Sequence, residues 1–231
     1  MSIAENIAAV RQRIDDSARR AGRTGEDITL LAVSKTVDVE RMQEAVAAGL
    51  TMFGENRVQE IVKKIEFFEQ NVSWDLIGQL QKNKIKYIID KTRLVHSLCS
   101  VSVAQEMQRL CEQRDTAIDC LLQVNVSREE SKSGIYEDEV EPFLETVEPL
   151  SRVRILGMMT IAPIVDKPED ARPYFAALKK LFDRYSKIKT DHFEMKYLSM
   201  GMSGDFEAAI EEGANIVRVG SAIFGSRNYT K

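Results

Sequence analysis

Two histidines and three cysteines are all that 231 residues offer to a zinc-type metal. Such sites need ligands at close, regular spacing. Here Cys99, Cys111, Cys120, His96 and His192 are scattered, and no carboxylate cluster joins them. A metal centre is therefore not expected. An odd number of cysteines at these spacings points to reduced thiols in a cytosolic protein rather than to a disulfide framework. None of the three has the sequence context of a catalytic nucleophile. No apolar run reaches the roughly 20 residues of a membrane span. The opening Met1-Ser2-Ile3-Ala4-Glu5 has neither the basic nor the apolar stretch of a signal peptide. A Lys/Arg-rich tail or run is also missing. With acids and bases interspersed to a net charge of −4, neither nucleic acid nor an anionic membrane is an expected partner.

What is present is a regular alternation. Residues 2–21 read as a helix, with Ser2 as cap, Ile3, Ile7, Val10, Ile14 and Ala18 on one stripe, and Gly22 as terminator. The apolar run 28–33 has strand length. Asp38 can cap a following helix whose inner face is Val39, Met42 and Val46. Further strands are predicted near 51–53, 72–77, 93–96, 118–125, 153–158, 197–199 and 215–219. Helical stripes lie between them, such as Val58, Ile61, Val62, Ile65 and Phe68, or Phe175, Leu178, Leu181, Phe182 and Tyr185. The patterns at 80–90 and 137–148 are less periodic. Leu121-Leu122-Gln123-Val124 lacks the polar alternation of a half-exposed strand, as expected of a parallel strand covered on both faces. Eight strand–helix units fit a single (β/α)₈ barrel with an extra N-terminal helix, which runs to roughly 250 residues. An open doubly wound sheet is the alternative. With no linker in sight, residues 1–231 are expected to form one domain.

Chemistry in such a barrel gathers where the strands end. Lys35 follows the first strand. It is either a rim lysine reaching water or an amine in a desolvated pocket, where a lowered pKa favours attack on an aldehyde. After the second strand, Gly54 allows a turn and Glu55 suits the first turn of a helix. Asn56 could offer an amide to a ligand. The run Ile77-Gly78-Gln79-Leu80-Gln81 could line a pocket or form a solvated face. His96 reads as a packing residue or a base. Lys132 is an ordinary loop lysine or a second amine near the site. Ser203 and Gly204 follow the seventh strand, and Arg218, Gly220 and Ser221 end the eighth. Barrels commonly bind phosphate with these two loops, although each could be a simple glycine turn. An amine at strand one and a phosphate cradle at strands seven and eight suggest a phosphorylated aldehyde, of which pyridoxal 5′-phosphate is the common one. Arg218 near its ring would donate a hydrogen bond without giving up a proton, leaving the ring nitrogen neutral.

Six segments together carry a family resemblance. They are Leu31-Ala32-Val33-Ser34-Lys35, Phe53-Gly54-Glu55-Asn56-Arg57-Val58-Gln59-Glu60, Ile77-Gly78-Gln79-Leu80-Gln81-Lys82-Asn83-Lys84, Lys132-Ser133-Gly134, Leu198-Ser199-Met200-Gly201-Met202-Ser203 and Arg218-Val219-Gly220-Ser221-Ala222-Ile223-Phe224-Gly225. Over essentially its whole length the chain resembles the pyridoxal-phosphate homeostasis proteins, which are similar to the N-terminal barrel of alanine racemase. The resemblance implies that Lys35 carries the cofactor as an imine. Ser203, Gly220 and Ser221 would surround the phosphate, Arg218 would face the pyridine nitrogen, and Asn56 would lie beside the ring. It further implies a cytoplasmic, monomeric protein that buffers the cofactor or delivers it to apo-enzymes. Two positions depart from the family pattern. Asp75, where the family commonly has His, follows Trp74, and Gly204 intervenes before Asp205. The rival reading is an amino-acid racemase, which needs a second base opposite Lys35. The available residues are Tyr136, Tyr229 and Lys132, and the partner domain that supplies this base in alanine racemase is not expected here. A scaffold without ligand is a third class.

Overall fold

The computed structural model describes residues 1–68 and 72–225. Tyr229 lies outside the described residues. The first helix, α1 (Ile3–Arg20), starts at a capping box: Ser2 accepts from the Glu5 amide and the Glu5 carboxylate accepts from the Ser2 amide. Its stripe Ile3, Ile7, Val10, Ile14 and Ala18 is buried. The chain leaves the helix through Gly22, at a φ of 68° that a side chain would resist.

Eight parallel strands then close on themselves. They are β1 (Thr29–Val33), β2 (Met52–Glu55), β3 (Ser73–Leu76), β4 (Leu94–Leu98), β5 (Ile118–Gln123), β6 (Val153–Met159), β8 (Phe193–Met202) and β9 (Ile216–Val219). Neighbours pair in this order, and β9 returns to β1 with Leu31 beside Arg218. The closed barrel is the predicted (β/α)₈ fold, and the open sheet is excluded. Between β6 and β8 lies β7 (Lys189–Thr190), two exposed residues running antiparallel to β8. It was not expected, because Lys and Thr carry no apolar signature. β8 is also longer than the predicted 197–199.

The surrounding helices are α2 (Val39–Ala47), α3 (Val58–Lys64), α4 (Val101–Gln113), α5 (Val140–Val147), α6 (Arg172–Tyr185), α7 (Phe206–Glu211) and α8 (Ser221–Phe224). The segment after β3 takes 3₁₀ form over Lys82–Tyr87. Alternation along each strand sorts the side chains into two sets. Ala32, Phe53, Trp74 and Val95 pack outward under the helices, and the Phe53 and Trp74 ring centroids lie 5.9 Å apart. Leu31, Leu94, Leu121, Met159 and Ile216 form a separate cluster that fills the barrel.

Polar residues two places from Leu94, Ile216 and the partly buried Ile77 and Tyr197 that pack on this set continue the same face. Asp75, His96, Ser199 and Arg218 are all buried there and joined in a chain. Arg218 Nη1 donates to Ser199 Oγ at 2.7 Å. His96 Nδ1 lies 3.0 Å from the same Oγ, and its Nε2 lies 2.9 Å from Asp75 Oδ2. Arg93 Nε donates to Asp75 Oδ1 at 2.9 Å. Burial lowers the His96 pKa, against the raising effect of Asp75, which favours the neutral ring. Ser199 accepts from Arg218, so its hydroxyl hydrogen is available to Nδ1. The imidazole then carries its proton on Nε2, toward Asp75. His96 is thus a packing residue satisfied on both nitrogens.

Candidate functional site

The C-terminal ends of the strands enclose a cavity of about 950 Å³, within the size range of small-molecule sites. All seven residues singled out above line it: Lys35, Asn56, Ser203, Gly204, Arg218, Gly220 and Ser221. They come from four strand ends, the consecutive pair β1 and β2 near the start of the chain and the consecutive pair β8 and β9 near its end. Closure of the barrel brings them together.

The wall formed by β8 and β9 is rich in donors. Gly220 N donates to Ser203 Oγ at 3.1 Å, and Ala222 N does so at 3.4 Å. Two amides at the start of α8 therefore converge on the Ser203 hydroxyl oxygen, between the two strand ends where barrels commonly bind phosphate. Beside them, the Arg218 guanidinium is fixed by Ser199 and by Thr160 O, to which Nη2 donates at 2.8 Å. Burial pushes its pKa down to about 10, offset in part by Asp205, which leaves it charged at neutral pH. Arg41 also lines this end and donates to Phe224 O, tying α2 to α8.

The adjoining wall, joined to the first where β1 pairs with β9, carries Lys35, half-buried, and the lining also includes Asn56, Gly78 and Gln79. Lys35 and Thr36 occupy the centre of a turn closed by Val37 N donating to Ser34 O at 2.9 Å. Thr36 adopts a φ of 66°, a left-handed conformation that position i+2 of a turn usually assigns to Gly. Glu55 departs from its expected place in a helix. It is the last residue of β2, fully buried, three residues before α3 begins, and it pairs with Lys64 Nζ at 2.7 Å. Burial pushes its pKa up to about 7, with Lys64 and Ser34 opposing. A Lys near a helix C-terminus reads as a surface residue, so Lys64 gave no signal in the sequence.

Two further expectations separate. Lys132 does line the cavity, with its ammonium 2.8 Å from Glu129 Oε1. Tyr136 is not among the lining residues and lies under the Arg128 guanidinium, 5.3 Å from the ring centroid. Gln123 from β5 and Ile161 after β6 also line the cavity. Nothing in their local sequence marked them, because only barrel closure sets what they face. No group of three or more potential metal ligands occurs among the described residues. No helix among them is long and apolar enough to cross a membrane.

Known proteins share this design. The family model for the alanine racemase N-terminal domain matches residues 3–228. The pyridoxal phosphate homeostasis protein of Aquifex aeolicus (strain VF5) is 42% identical over 230 residues, covering 99% of this chain and 100% of the relative. Its namesake in Escherichia coli (strain K12) is 42% identical over 240 residues, covering 99% and 98%. Among solved structures, PipY of Synechococcus elongatus PCC7942 with PLP bound superposes with a TM-score of 0.83 at 30% identity, covering 97% of this chain and all of that one. Alanine racemase from Corynebacterium glutamicum, at 17% identity and a TM-score of 0.70, shares the fold over 97% of this chain and 64% of its own. The chain belongs to the family of pyridoxal phosphate homeostasis proteins, built on the alanine racemase N-terminal domain.

Proposed function

We propose that this chain binds pyridoxal 5′-phosphate in the rim cavity and acts as a carrier that buffers the cofactor or delivers it to apo-enzymes. One observation carries the reading. Lys35, with its primary amine, lines one cavity with the Ser203 hydroxyl, the Gly220 and Ser221 backbone and the buried Arg218 guanidinium, and these are the groups a phosphorylated aromatic aldehyde needs. The homeostasis relatives at 42% identity and the PLP-bound PipY support it. Bound there, the cofactor supplies an aldehyde that condenses with a primary amine, with loss of water.

Each residue then has a task. Lys35 supplies the amine that forms the N–C bond of the imine. Ser203, Gly204, Gly220 and Ser221 surround the phosphate with hydroxyl and amide donors. Arg218 presents a permanently charged donor to the pyridine nitrogen, so no proton passes to it. Asn56, which lines the same cavity, would lie beside the ring. The resemblance also suggests one domain over 1–231, acting as a cytoplasmic monomer.

The carrier reading is preferred to a racemase because inversion needs a base opposite Lys35. Tyr136 lies away from the cavity lining, and the Lys132 ammonium is held by Glu129. The test is borohydride reduction of the loaded protein with peptide mapping, followed by mixing unreduced protein with an apo-enzyme of this cofactor. Label on Lys35 and reactivation faster than by free cofactor are expected. Label on other lysines overturns the site. Inversion of any amino acid at an ordinary enzyme rate of ~1 s⁻¹ or more favours the racemase.

A further inference from the structure

Directly beneath Lys35 lie three charges that the binding reading does not use. Lys64 is buried at the end of α3. Its ammonium donates to Glu55 Oε1 at 2.7 Å, to Glu60 Oε2 at 3.1 Å and to the carbonyl oxygen of Ser34 at 2.9 Å. All three donor hydrogens are thereby committed. Glu60 Oε2 in turn accepts from the amide of Thr36 at 3.3 Å, and Glu55 Oε1 accepts from the Ser34 hydroxyl at 2.7 Å. The cluster thus grips the backbone on both sides of Lys35, at the carbonyl before it and the amide after it.

We propose that Lys64, with Glu55 and Glu60, is a positioning device for Lys35, holding the Ser34–Val37 turn in the strained form that presents the Lys35 amine to the cavity. The inference rests on the binding reading above and concerns how the amine is held, not what it binds. Two independent observations lead to it. The first is Thr36, a β-branched residue at a φ of 66°. A non-glycine residue keeps a left-handed conformation only where its surroundings over-determine it. The turn's own hydrogen bonds, from Val37 N to Ser34 O and from the Thr36 hydroxyl to Lys35 O, are local, and the cluster adds constraints from β2 and α3. The second is cost. Taking three charged groups out of water is unfavourable, and pairs of this kind do little for net stability. Glu55 Oε2 is even left without a hydrogen-bond partner among the described residues. An apolar plug would fill the space more cheaply, whereas only polar donors and acceptors can hold a carbonyl and an amide two residues apart.

The carboxylates respond in opposite directions. Burial raises Glu60, but Lys64 and the Thr36 amide outweigh this and hold it below the usual range, while burial dominates at Glu55. Glu60 is therefore the firmly ionised member that reaches the turn, and its half-buried position makes it the safest to change.

The test uses the full chain and pyridoxal 5′-phosphate. The readouts are the equilibrium constant for imine formation, from its visible band, and borohydride-trapped label at Lys35 by mass, with far-UV circular dichroism as a check on folding. Glu60→Ala should lower the constant about fivefold, as expected for one charge-assisted hydrogen bond partly replaced by water. Glu60→Gln retains an acceptor oxygen and should recover most of that loss. The discriminating variant is Glu60→Ala with Thr36→Gly. Glycine adopts this φ without strain, so the relaxed turn needs the cluster less and binding should return toward the parental level. A general loss of stability would not be repaired this way. Wild-type label on Lys35 with an unchanged constant in Glu60→Ala overturns the positioning role. So does a loss that Thr36→Gly leaves untouched. Wild-type label away from Lys35 overturns the site assignment itself, and the positioning role with it.

Discussion

The wall at β8 and β9 and the wall at β1 and β2 hold their groups in different ways. At β8 and β9 the donors are short: the amides of Gly220 and Ala222 and the hydroxyl of Ser203, with an arginine pinned by two neutral acceptors. At β1 and β2 one long side chain projects from a turn whose second central residue is strained and whose flanks rest on buried charges. Backbone donors are fixed by the fold and survive the loss of any one side chain. An amine on a flexible four-carbon stem must be aimed, and aiming it takes neighbours. The first wall should therefore degrade by degrees under mutation and the second in one step.

The largest effect should come from Lys35→Ala. It removes the one amine proposed to form the imine, whereas the barrel core, filled by Leu31, Leu94, Leu121, Met159 and Ile216, makes no use of it. Loss of the visible band with an unchanged melting transition is the expected pair of results. Survival of the native band would move the amine elsewhere, with Lys132 the first place to look because it lines the same cavity.

Lys64→Met should come next, and its effect should fall on stability. Removing one member of a buried pair leaves Glu55 without its cation, at a cost of about 3–5 kcal/mol. Urea denaturation monitors this. A change under ~1 kcal/mol, near the range of exposed ion pairs, would mean that water reaches Glu55 and that the two walls are less different than their geometry implies.

How far these walls could be read from the sequence also differs. The β8–β9 wall was legible because its parts are local: Met202-Ser203-Gly204 and Arg218-Val219-Gly220-Ser221 each lie within a few residues of a strand end. The barrel was legible for a similar reason, since runs such as Leu121-Leu122-Gln123-Val124 declare strands covered on both sides. The support of the other wall was not. Glu55 looks like a helix-starting acid until β2 is seen to include it, and Lys64 looks like a solvated helix end until α3 is docked. The chain from Arg218 to Asp75 passes through Ser199 and His96, which are 103 positions apart, and no local pattern encodes that meeting. The misreading of Glu55 and the silence at Lys64 have one cause. A charge is expected at the surface unless its partner is known, and the partners here are set by tertiary closure.

Ser203→Ala and Ser221→Ala should act more gently on cofactor retention. Each removes one hydroxyl beside an anion, worth about 1.5–3 kcal/mol for a charge-assisted bond. The amides of Gly220 and Ala222 remain, and loss of the Ser203 hydroxyl even frees them. Equilibrium dialysis should find each single variant weakened, the double variant weakened further, and the double still able to bind. Unchanged affinity in the double variant would put the phosphate at another part of the cavity.

The smallest effect should be that of Gly204→Ala, and it sharpens the comparison because it changes a residue of the β8–β9 wall without deleting a proposed donor. Gly204 is exposed, and a Cβ built on it meets nothing within 4 Å. Its backbone is not among the positive-φ glycines, so alanine inherits no strain there. The amide N–H, which is what the proposed cradle uses, is retained. Asp205 still accepts from Met202 N at 2.6 Å, so the loop keeps its own closure ahead of α7. Stability should therefore move by no more than ~0.5 kcal/mol, as at an ordinary surface position, and cofactor affinity should change by less than about twofold, since no charge-assisted bond is lost. Gly204→Pro is the contrast. It keeps the loop small but deletes the N–H, so a clear loss of affinity in the proline variant beside an unaffected alanine variant would assign the donor to the backbone. Equal losses in both would instead mean that the phosphate packs against the space above Gly204, and that this wall too depends on side-chain volume.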